Sequence, residues 1–397
     1  MNCRGINAQR PAVSGYRFTK LVDAVLAWNE LPPGTVGVIS ITDSSTYAGD
    51  LEVIMGENSR LLIVAAEWPE VVQPEGGLRG LPGRFTAAGC RPHVRGHIKV
   101  RSLDDRGGSV SLNGLLVEGG LEIAEGQRGQ LSLRHCTLVP GQGFSSDGYP
   151  AAQREPSIMI RATTGTLDIR HSITGGIRLG EDVTANFSDS MVDATSRCGV
   201  AYSALDGHCP GGTLTISNTT VVGKVHTRLL ELASNTIFFS RLAMHDSWKA
   251  PVISKRRQKG CVRFCFVPLN SRTPPRYQCH PREDEDGARV TPLFNSLRYG
   301  EPDYGQLSER CAPEIFNGAD DESEMGAYHE LFEPQRIANV RVRLDEYLRF
   351  GLETGIFFEP HLPTRVLKPG AYGYPQWVDL CGAEGAEDLP GIGAGLI

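Results

Sequence analysis

Short stretches in which apolar and polar residues alternate recur along the middle of the chain. A period of two is typical of strands with one buried face. Each stretch ends at Asn, His or Asp, continues with a small residue, and leads into a second alternating stretch. We interpret the polar residue as a corner between two strands, because these side chains tolerate a left-handed backbone and can bond neighbouring backbone groups. The predicted corners are Asn113, His135, His171, Asp189, Asn218 and Asp246, and Ile41-Thr42-Asp43-Ser44-Ser45 fits the same pattern.

The spacing of these corners indicates a solenoid. Successive corner residues are separated by 22, 36, 18, 29 and 28 positions. A minimum near 20 with longer variants is what stacked turns need when some of them carry inserted loops. Two segments rich in Gly, Pro and Ser, residues 140–156 and 195–212, are the predicted insertions. We therefore predict an all-β fold, a right-handed parallel β-helix whose corners stack about 4.8 Å apart.

A helix is predicted to cap the N-terminal end of this solenoid. Residues 18–31 have helical periodicity and are followed by Pro32-Pro33. The first turn of a solenoid exposes an apolar end, and an amphipathic helix is suited to cover it. The predicted apolar face consists of Leu21, Val22, Val25 and Leu26.

The alternating pattern stops near Ala250, and an irregular α+β region follows. One further helix is predicted there, with Pro334 in its first turn and Gly351 as its end. We expect its apolar stripe to pack against the last turns of the solenoid or against a partner chain. The stripe consists of Ile337, Val340, Leu344 and Leu348. The predicted organisation is an N-terminal arm (1–17), the β-helix with its cap (18–250), a C-terminal capping or docking domain (251–360) and a Gly/Pro-rich tail (361–397).

Composition narrows the classes of partner and compartment. The net charge is −6 with a pI near 6.0, so no basic surface for nucleic acid or an anionic membrane is predicted. No apolar run approaches the roughly 18 residues of a membrane span. Residues 1–10 lack the apolar segment of a secretory signal, which favours cytoplasmic synthesis, with release as part of an extracellular particle as a further option.

A group of soft ligands lies in the irregular region. Ten cysteines in 397 residues are too few for a disulfide scaffold. A zinc site is one interpretation of the group, although its spacing is not a standard pair of C-x2-C motifs. A Cys261–Cys279 disulfide and plain buried thiols are the alternatives, and zinc is the only cofactor considered. The candidate ligands are Cys261, Cys265, Cys279 and His280.

Carboxylates along the predicted strands are the residue type that a polysaccharide lyase or hydrolase would use. Such enzymes need a base with a cation, or two carboxylates across the scissile bond. We expect these side chains to lie on a solvated outer face, so no catalytic residue is predicted. His135 and His171, on adjacent turns, are candidate metal ligands or bases, but other turns carry Asn or Asp there, which favours a corner role. The acidic candidates are Asp104-Asp105 with Lys99 and Arg101, and Asp168 with Arg170, Asp189 and Asp193.

The corner pattern resembles right-handed parallel β-helices of the pectate-lyase-like class (pectin lyase-like fold), in which an Asn ladder at one corner is typical. The C-terminal half is similar to a family of bacterial β-helix proteins associated with phage-tail-like contractile injection systems. This resemblance covers about residues 18–360 and carries over no catalytic residue. The segments that carry it are Gly260-Cys261-Val262-Arg263-Phe264, Ser271-Arg272-Thr273-Pro274-Pro275-Arg276-Tyr277, Ser296-Leu297-Arg298-Tyr299-Gly300 and Gly351-Leu352-Glu353-Thr354-Gly355-Ile356-Phe357.

The resemblance implies a non-catalytic structural or binding component of such a particle, associated with a spike, fibre or baseplate. Other protein subunits are then the expected partners, with surface glycans as a second class. A carbohydrate-active enzyme on the same fold, or a glycan-binding surface module, remains the alternative. Neither a nucleic-acid partner nor a membrane span is expected.

Overall fold

The structure, a computed structural model, describes residues 3–7, 16–67, 70–72, 78–80, 85–102, 107–124, 128–146, 148–282, 287–352 and 356. The described part of the chain is mostly β, with 40% of its residues in strands and 10% in helices. Within the described ranges, 25 strands join one sheet, and Glu70–Val72 pairs separately with Leu78–Gly80. A long, mostly parallel sheet of this kind is compatible with a parallel β-helix. The predicted tail (361–397) and most of the predicted arm (1–17) lie outside the described residues.

The parallel pairings form three series of strands, called ladders 1, 2 and 3. In each ladder a strand pairs with an equivalent strand further along the chain. Ladder 1 consists of Val36–Ile41, Arg60–Ala65, Ser109–Asn113, Arg128–Arg134, Thr164–Arg170, the first halves of Val183–Asp193 and Gly211–Val222, the second half of Lys224–Ser234, Cys261–Arg263 and Arg276–Tyr277.

After a ladder 1 strand, the chain passes through a ladder 2 strand and then a ladder 3 strand before it returns to ladder 1. Ladder 2 consists of Thr46–Ala48, His93–Arg95, Leu116–Glu118, Thr137–Leu138, Ile173–Thr174, the second halves of Val183–Asp193 and Gly211–Val222, and Ile237–Phe239. Ladder 3 consists of Leu51–Met55, Ile98–Ser102, Leu121–Ile123, Ile158–Ile160, Ile177–Leu179, Val200–Ser203, the first half of Lys224–Ser234, and Val252–Arg256.

The main core lies between the ladders and is built from stacked equivalent residues. In-register parallel pairing places one side chain directly above the next, so each alternating stretch adds one apolar layer. Full burial of one such side chain contributes about 1.5–3 kcal/mol before entropy. One continuous buried stack along ladder 1 consists of Val110, Leu131, Leu167, Ala185, Leu214 and Leu230.

Helix α1 (Leu21–Asn29) packs against the first strands of the sheet, and the antiparallel strand Cys3–Asn7 pairs with Tyr16–Phe18 and Val36–Ile41. The helix is shorter than predicted, and its face differs from the predicted one. Leu26 is 55% exposed, whereas Trp28 is buried and its Nε1 donates to the Ile54 carbonyl at 3.1 Å. The buried face consists of Leu21, Ala24, Val25 and Trp28, so the small residue Ala24 lies on it and Leu26 does not.

Parallel pairing continues past Ala250, which corrects the predicted end of the repeat. Val252–Arg256, Cys261–Arg263 and Arg276–Tyr277 extend ladders 3 and 1. The last two of these strands have only three and two residues, too few to show a period of two. Isolated parallel bridges from Phe266 to Ile237 and to His280 extend ladder 2 in the same way.

Residues 290–325 fold back over the outer face of ladder 2 and form a second core. This segment includes helix α2 (Pro313–Phe316), and a 3-10 helix (His329–Leu331) follows it. Apolar side chains on the outside of ladder 2 explain why the segment docks there. The core consists of Met191, Val222, Ile237, Phe239 and Phe266 from the sheet with Val290, Phe294, Tyr304, Leu307, Cys311, Ala312, Ile315 and Met325 from the segment.

Helix α3 (Glu333–Tyr347) does not pack as predicted on the single chain. None of its residues is buried, and Val340 of the predicted stripe is 48% exposed. The helix ends at Tyr347, four residues before Gly351. Residues 290–325 already cover the apolar surface of ladder 2, so the helix is left outside that contact.

Candidate functional site

One position at the end of the ladder 1 strands has the same backbone conformation in eight successive strands. The pairing register aligns these residues, and each has a positive φ between 46° and 80°. That left-handed conformation turns the chain from ladder 1 into ladder 2, which explains the preference for Gly, Asn, Asp and His. We call this set the corner row; it consists of Gly114, His135, His171, Asp189, Asn218, Asn235, Phe264 and Gln278.

Four of the six predicted corner residues occupy the row, and two do not. Asn113 is the last strand residue, paired with Arg134, and Gly114 makes the turn. Asp246 lies in a later turn, where it forms a 2.6 Å ion pair with buried Lys224. Asn235 takes its place in the row. Its signal was present in the sequence, because Asn235 follows an alternating strand and precedes the small residue Thr236.

After seven of the eight corners, a small residue points inward and closes the turn. Its hydroxyl or thiol donates to the carbonyl two residues earlier, at 2.6–3.4 Å. Most of these carbonyls also accept a hydrogen bond from the backbone amide of the corner residue in the preceding strand, so the inward donor adds a second bond that holds the turn. They are Cys136, Ser172, Ser190, Thr219, Thr236, Cys265 and Cys279.

The predicted zinc ligands do not form one cluster of potential metal ligands in the structure. Cys265 and Cys279 are buried corner donors, whereas Cys261 is exposed on its strand. Burial and the adjacent Cys279 thiol raise the pKa of the Cys265 thiol well above its usual value, which disfavours the thiolate that zinc requires. Cys261 and Cys279 are both free thiols, so the alternative disulfide is not formed. Among the described residues, the groups with metal-binding proximity do not include these cysteines or His280.

The outer side chains of the corner row contact one another in sequence. Phe85 stacks on the His135 ring at 4.7 Å between centroids, and His135 stacks on His171 at 5.1 Å with only 4° between the planes. Further along, Asn218 Nδ2 donates to Asp189 Oδ1 at 2.9 Å. Burial and the neighbouring His171 lower the pKa of His135, so its ring is neutral near pH 7. The row is therefore an ordered surface strip in which the imidazole rings of His135 and His171 are followed by the carboxylate of Asp189 and the amides of Asn218 and Asn235.

The C-terminal segment reaches back to this strip at two points. The Glu330 carboxylate lies 3.7 Å from His171 Nδ1. Asn235 Nδ2 donates to Asp320 Oδ1 at 2.8 Å, and the Asp320 amide donates back to Asn235 Oδ1 at 3.2 Å. Residues 320–330 thus bind the corner row through polar contacts, in addition to the apolar contacts of the second core.

These contacts assemble two groups of potential metal ligands. In each group, one donor atom per residue lies within 4.8 Å of the others. Sequence analysis identified His171 and Asp189 but missed Glu330, which is remote in the chain and belongs to no spacing motif. The first group consists of His171, Asp189 and Glu330, and the second of Asp320, Asp321 and His329.

The acidic residues considered for carbohydrate chemistry have separate structural contacts. Asp168 accepts a 3.0 Å hydrogen bond from Asn186 on the next strand. Asp193 was expected on the outer face but is buried, and its Oδ2 accepts a 2.7 Å hydrogen bond from Tyr304. The reason for this difference is that residues 290–325 cover ladder 2. Arg101 pairs with Glu52 at 2.8 Å, and residues 104 and 105 lie outside the described residues.

A basic cleft of about 830 Å³ lies at the last turn of the sheet. Residues 269–282, together with Arg257, contribute its lining. Arg276 is held in place because its guanidinium donates to Thr273 Oγ1 and to the Ser271 carbonyl, both at 2.9 Å. We call it the arginine cleft, after Arg257, Arg272, Arg276 and Arg282.

Comparisons with known proteins do not assign the chain to a family. Scans against protein-family models, curated proteins and solved structures found no match. In the part of the chain that the structure describes, no helix has the length and apolarity needed to cross a bilayer.

Proposed function

We propose that the chain is a right-handed parallel β-helix that acts as a non-catalytic structural component of a phage-tail-like contractile injection particle. The particle assignment rests on the sequence resemblance described above. The observation that supports a role in assembly is the exposed apolar surface formed by α3 and the residues after it. Surfaces of this kind mark sites of protein association in soluble proteins.

The three ladders supply a stiff body for such a role. Ladder 1 contains ten successive strands, so the body is roughly 43 Å long at about 4.8 Å per strand. Strand pairing along this whole length resists local unfolding, because each turn is held by two neighbours. A body of this kind suits a spike, a fibre or a connector.

Helix α3 supplies the proposed contact with another protein subunit of the particle. Large apolar side chains are concentrated on it and immediately after it, each at least 48% exposed. The same stretch carries both acidic and basic residues, which fits a protein surface better than an anionic glycan. The side chains are Val340, Val342, Tyr347, Phe350 and Leu352.

Co-purification of the chain with contractile particles tests this proposal. We expect the wild-type chain to sediment with particles from producing cells, and the Val340→Glu, Tyr347→Glu double variant to remain in the supernatant as a folded protein. Met244→Glu is the matched control, because Met244 is 86% exposed and belongs neither to α3 nor to the residues after it. Absence of the wild-type chain from particles, or equal incorporation of both variants, would contradict the proposal.

A glycan-binding module is the second candidate, and the arginine cleft favours it. Guanidinium groups bind carboxylates and sulfates in a bidentate geometry, so an acidic polysaccharide is the matching ligand class. The test compares polygalacturonate with neutral dextran by isothermal titration, using wild type and Arg272→Gln. Binding of the acidic polymer that the substitution abolishes would support this function, and release of unsaturated ends would indicate a lyase. Equal or no binding of the two polymers would eliminate it.

A further inference from the structure

We propose that His171, Asp189 and Glu330 bind one divalent transition-metal ion, which ties the C-terminal segment to the corner row. His171 and Asp189 come from adjacent positions of the row, and Glu330 comes from the 3-10 helix His329–Leu331. Their donor atoms lie within 4.8 Å of one another, a spacing that small rotations convert into a common coordination sphere. All three side chains are accessible from solvent, so an ion can reach them.

The donor set fits a transition metal rather than a hard cation. One imidazole nitrogen with two carboxylates suits Zn²⁺, Mn²⁺ or Fe²⁺, whereas Ca²⁺ and Mg²⁺ favour oxygen ligands alone. With a neutral imidazole the set carries two negative charges, which a divalent ion neutralises. Without an ion, the Asp189 and Glu330 carboxylates face each other as like charges.

Neighbouring contacts already orient two of the three ligands. His135 stacks on the His171 ring and restricts its rotation. Asn218 donates to Asp189 Oδ1 at 2.9 Å and leaves Oδ2 for an ion. Asn218 is in turn held by Asn235, whose Nδ2 donates to Asn218 Oδ1 at 3.2 Å. Support of this kind from outside the coordination sphere is what metal sites use to orient their ligands.

The second ligand group is already satisfied by protein donors. Asp321 Oδ1 accepts from the Ser323 amide at 3.0 Å and from the Ser323 hydroxyl at 2.5 Å. Asp320 accepts from Asn235, as described above. In the described part of the chain, by contrast, the Glu330 carboxylate has a polar contact with His171 alone. The first group is therefore the one in which an ion adds bonds without displacing existing ones.

Metal binding at this place has a structural consequence. His171 and Asp189 belong to the sheet, and Glu330 belongs to the segment that leads directly into α3. An ion held by all three therefore restrains the base of the proposed docking helix relative to the solenoid. This consequence for α3 rests on the proposed function, but metal binding itself does not.

The test uses the full-length chain after chelator treatment, titrated with ZnCl2 by isothermal titration calorimetry. We expect one ion per chain, with much weaker binding of Mg²⁺. His171→Asn, Asp189→Asn and Glu330→Gln should each weaken Zn²⁺ binding at least about tenfold. His245→Asn is the matched control, since it makes the same change at another exposed histidine with a positive φ, outside the ligand set and its supporting contacts, and its affinity should equal that of wild type.

Hydrogen exchange distinguishes an ion that bridges the corner row and residues 320–330 from an ion that is bound to residues 320–330 alone. Zn²⁺ should slow amide exchange in residues 328–332 in wild type and in His245→Asn, but not in His171→Asn. The proposal is overturned if no Zn²⁺ binds, if all three ligand variants keep wild-type affinity, or if only His329→Gln abolishes binding. It is equally overturned if binding leaves exchange in that segment unchanged.

Discussion

The buried contact between Asp193 and Tyr304 should make the attachment of the C-terminal segment pH-dependent. Asp193 is 3% exposed, and its Oδ2 accepts a 2.7 Å hydrogen bond from the Tyr304 hydroxyl. Burial raises the pKa of the Asp193 carboxyl to about 6, although the Tyr304 hydroxyl and the Thr195 amide both lower it. Tyr304→Phe removes one of these donors and leaves the ring in the second core.

The direction in which stability changes with pH follows from the pKa values of Asp193 in the folded and unfolded states. Because the folded pKa of about 6 exceeds the ordinary value of 3.8, Asp193 favours the folded state below about pH 4, and this contribution is lost as pH rises through about 6. The contribution lost is about 3 kcal/mol, at about 1.4 kcal/mol per pKa unit. Loss of the Tyr304 donor raises the folded pKa further. Tyr304→Phe should therefore cost about 2–3 kcal/mol at pH 8, where it leaves a buried carboxylate, and about 1 kcal/mol at pH 4.5.

Urea unfolding of wild type and Tyr304→Phe at both pH values measures this difference, and other titrating groups cancel in the comparison. Tyr328→Phe is the control, because the Tyr328 hydroxyl donates to the uncharged Tyr304 carbonyl at 2.6 Å. Its cost should be about 1 kcal/mol and independent of pH. Equal costs of Tyr304→Phe at pH 4.5 and pH 8, or a larger cost at the lower pH, would refute the assignment of a buried ionised Asp193.

Three further predictions concern the corners and the strands. His135→Asn and His171→Asn should each change the free energy of unfolding by less than about 1 kcal/mol, since Asn serves the same turn elsewhere in the row; a larger loss in thermal or urea unfolding would contradict the corner role. A chain truncated after Ala250 should aggregate, because it loses paired strands and exposes a sheet edge; a soluble monomer in light scattering would show that the remainder is independent. Gly165→Ala should destabilise by about 1–3 kcal/mol, because its Cβ would meet the Gly129 carbonyl oxygen, whereas Gly143→Ala, with open space around it, should not; equal urea midpoints for the two variants would disprove the close approach.

Sequence patterning predicted the parts of this protein that depend on local chemistry. Alternation gave the strands of ladder 1 and their buried faces, since a period of two has one structural meaning in an extended chain. His135, His171 and Asp189 were identified as corners because few residue types accept positive φ. The same rule misplaced Asn113, since Gly114 beside it accepts that conformation more easily. Two-residue and three-residue strands after Ala250 were missed because they are too short to show any period.

Contacts between distant segments were decided only by the tertiary structure. Glu330 meets His171 and Tyr304 meets Asp193 because residues 290–325 fold over ladder 2, and no spacing in the chain encodes that approach. The same docking leaves α3 outside, although its apolar stripe is visible in the sequence. An apolar stripe specifies that a surface must be covered but does not specify by what. Competition between segments for the outer face of ladder 2 settles that question, and it depends on the shape of the whole folded chain.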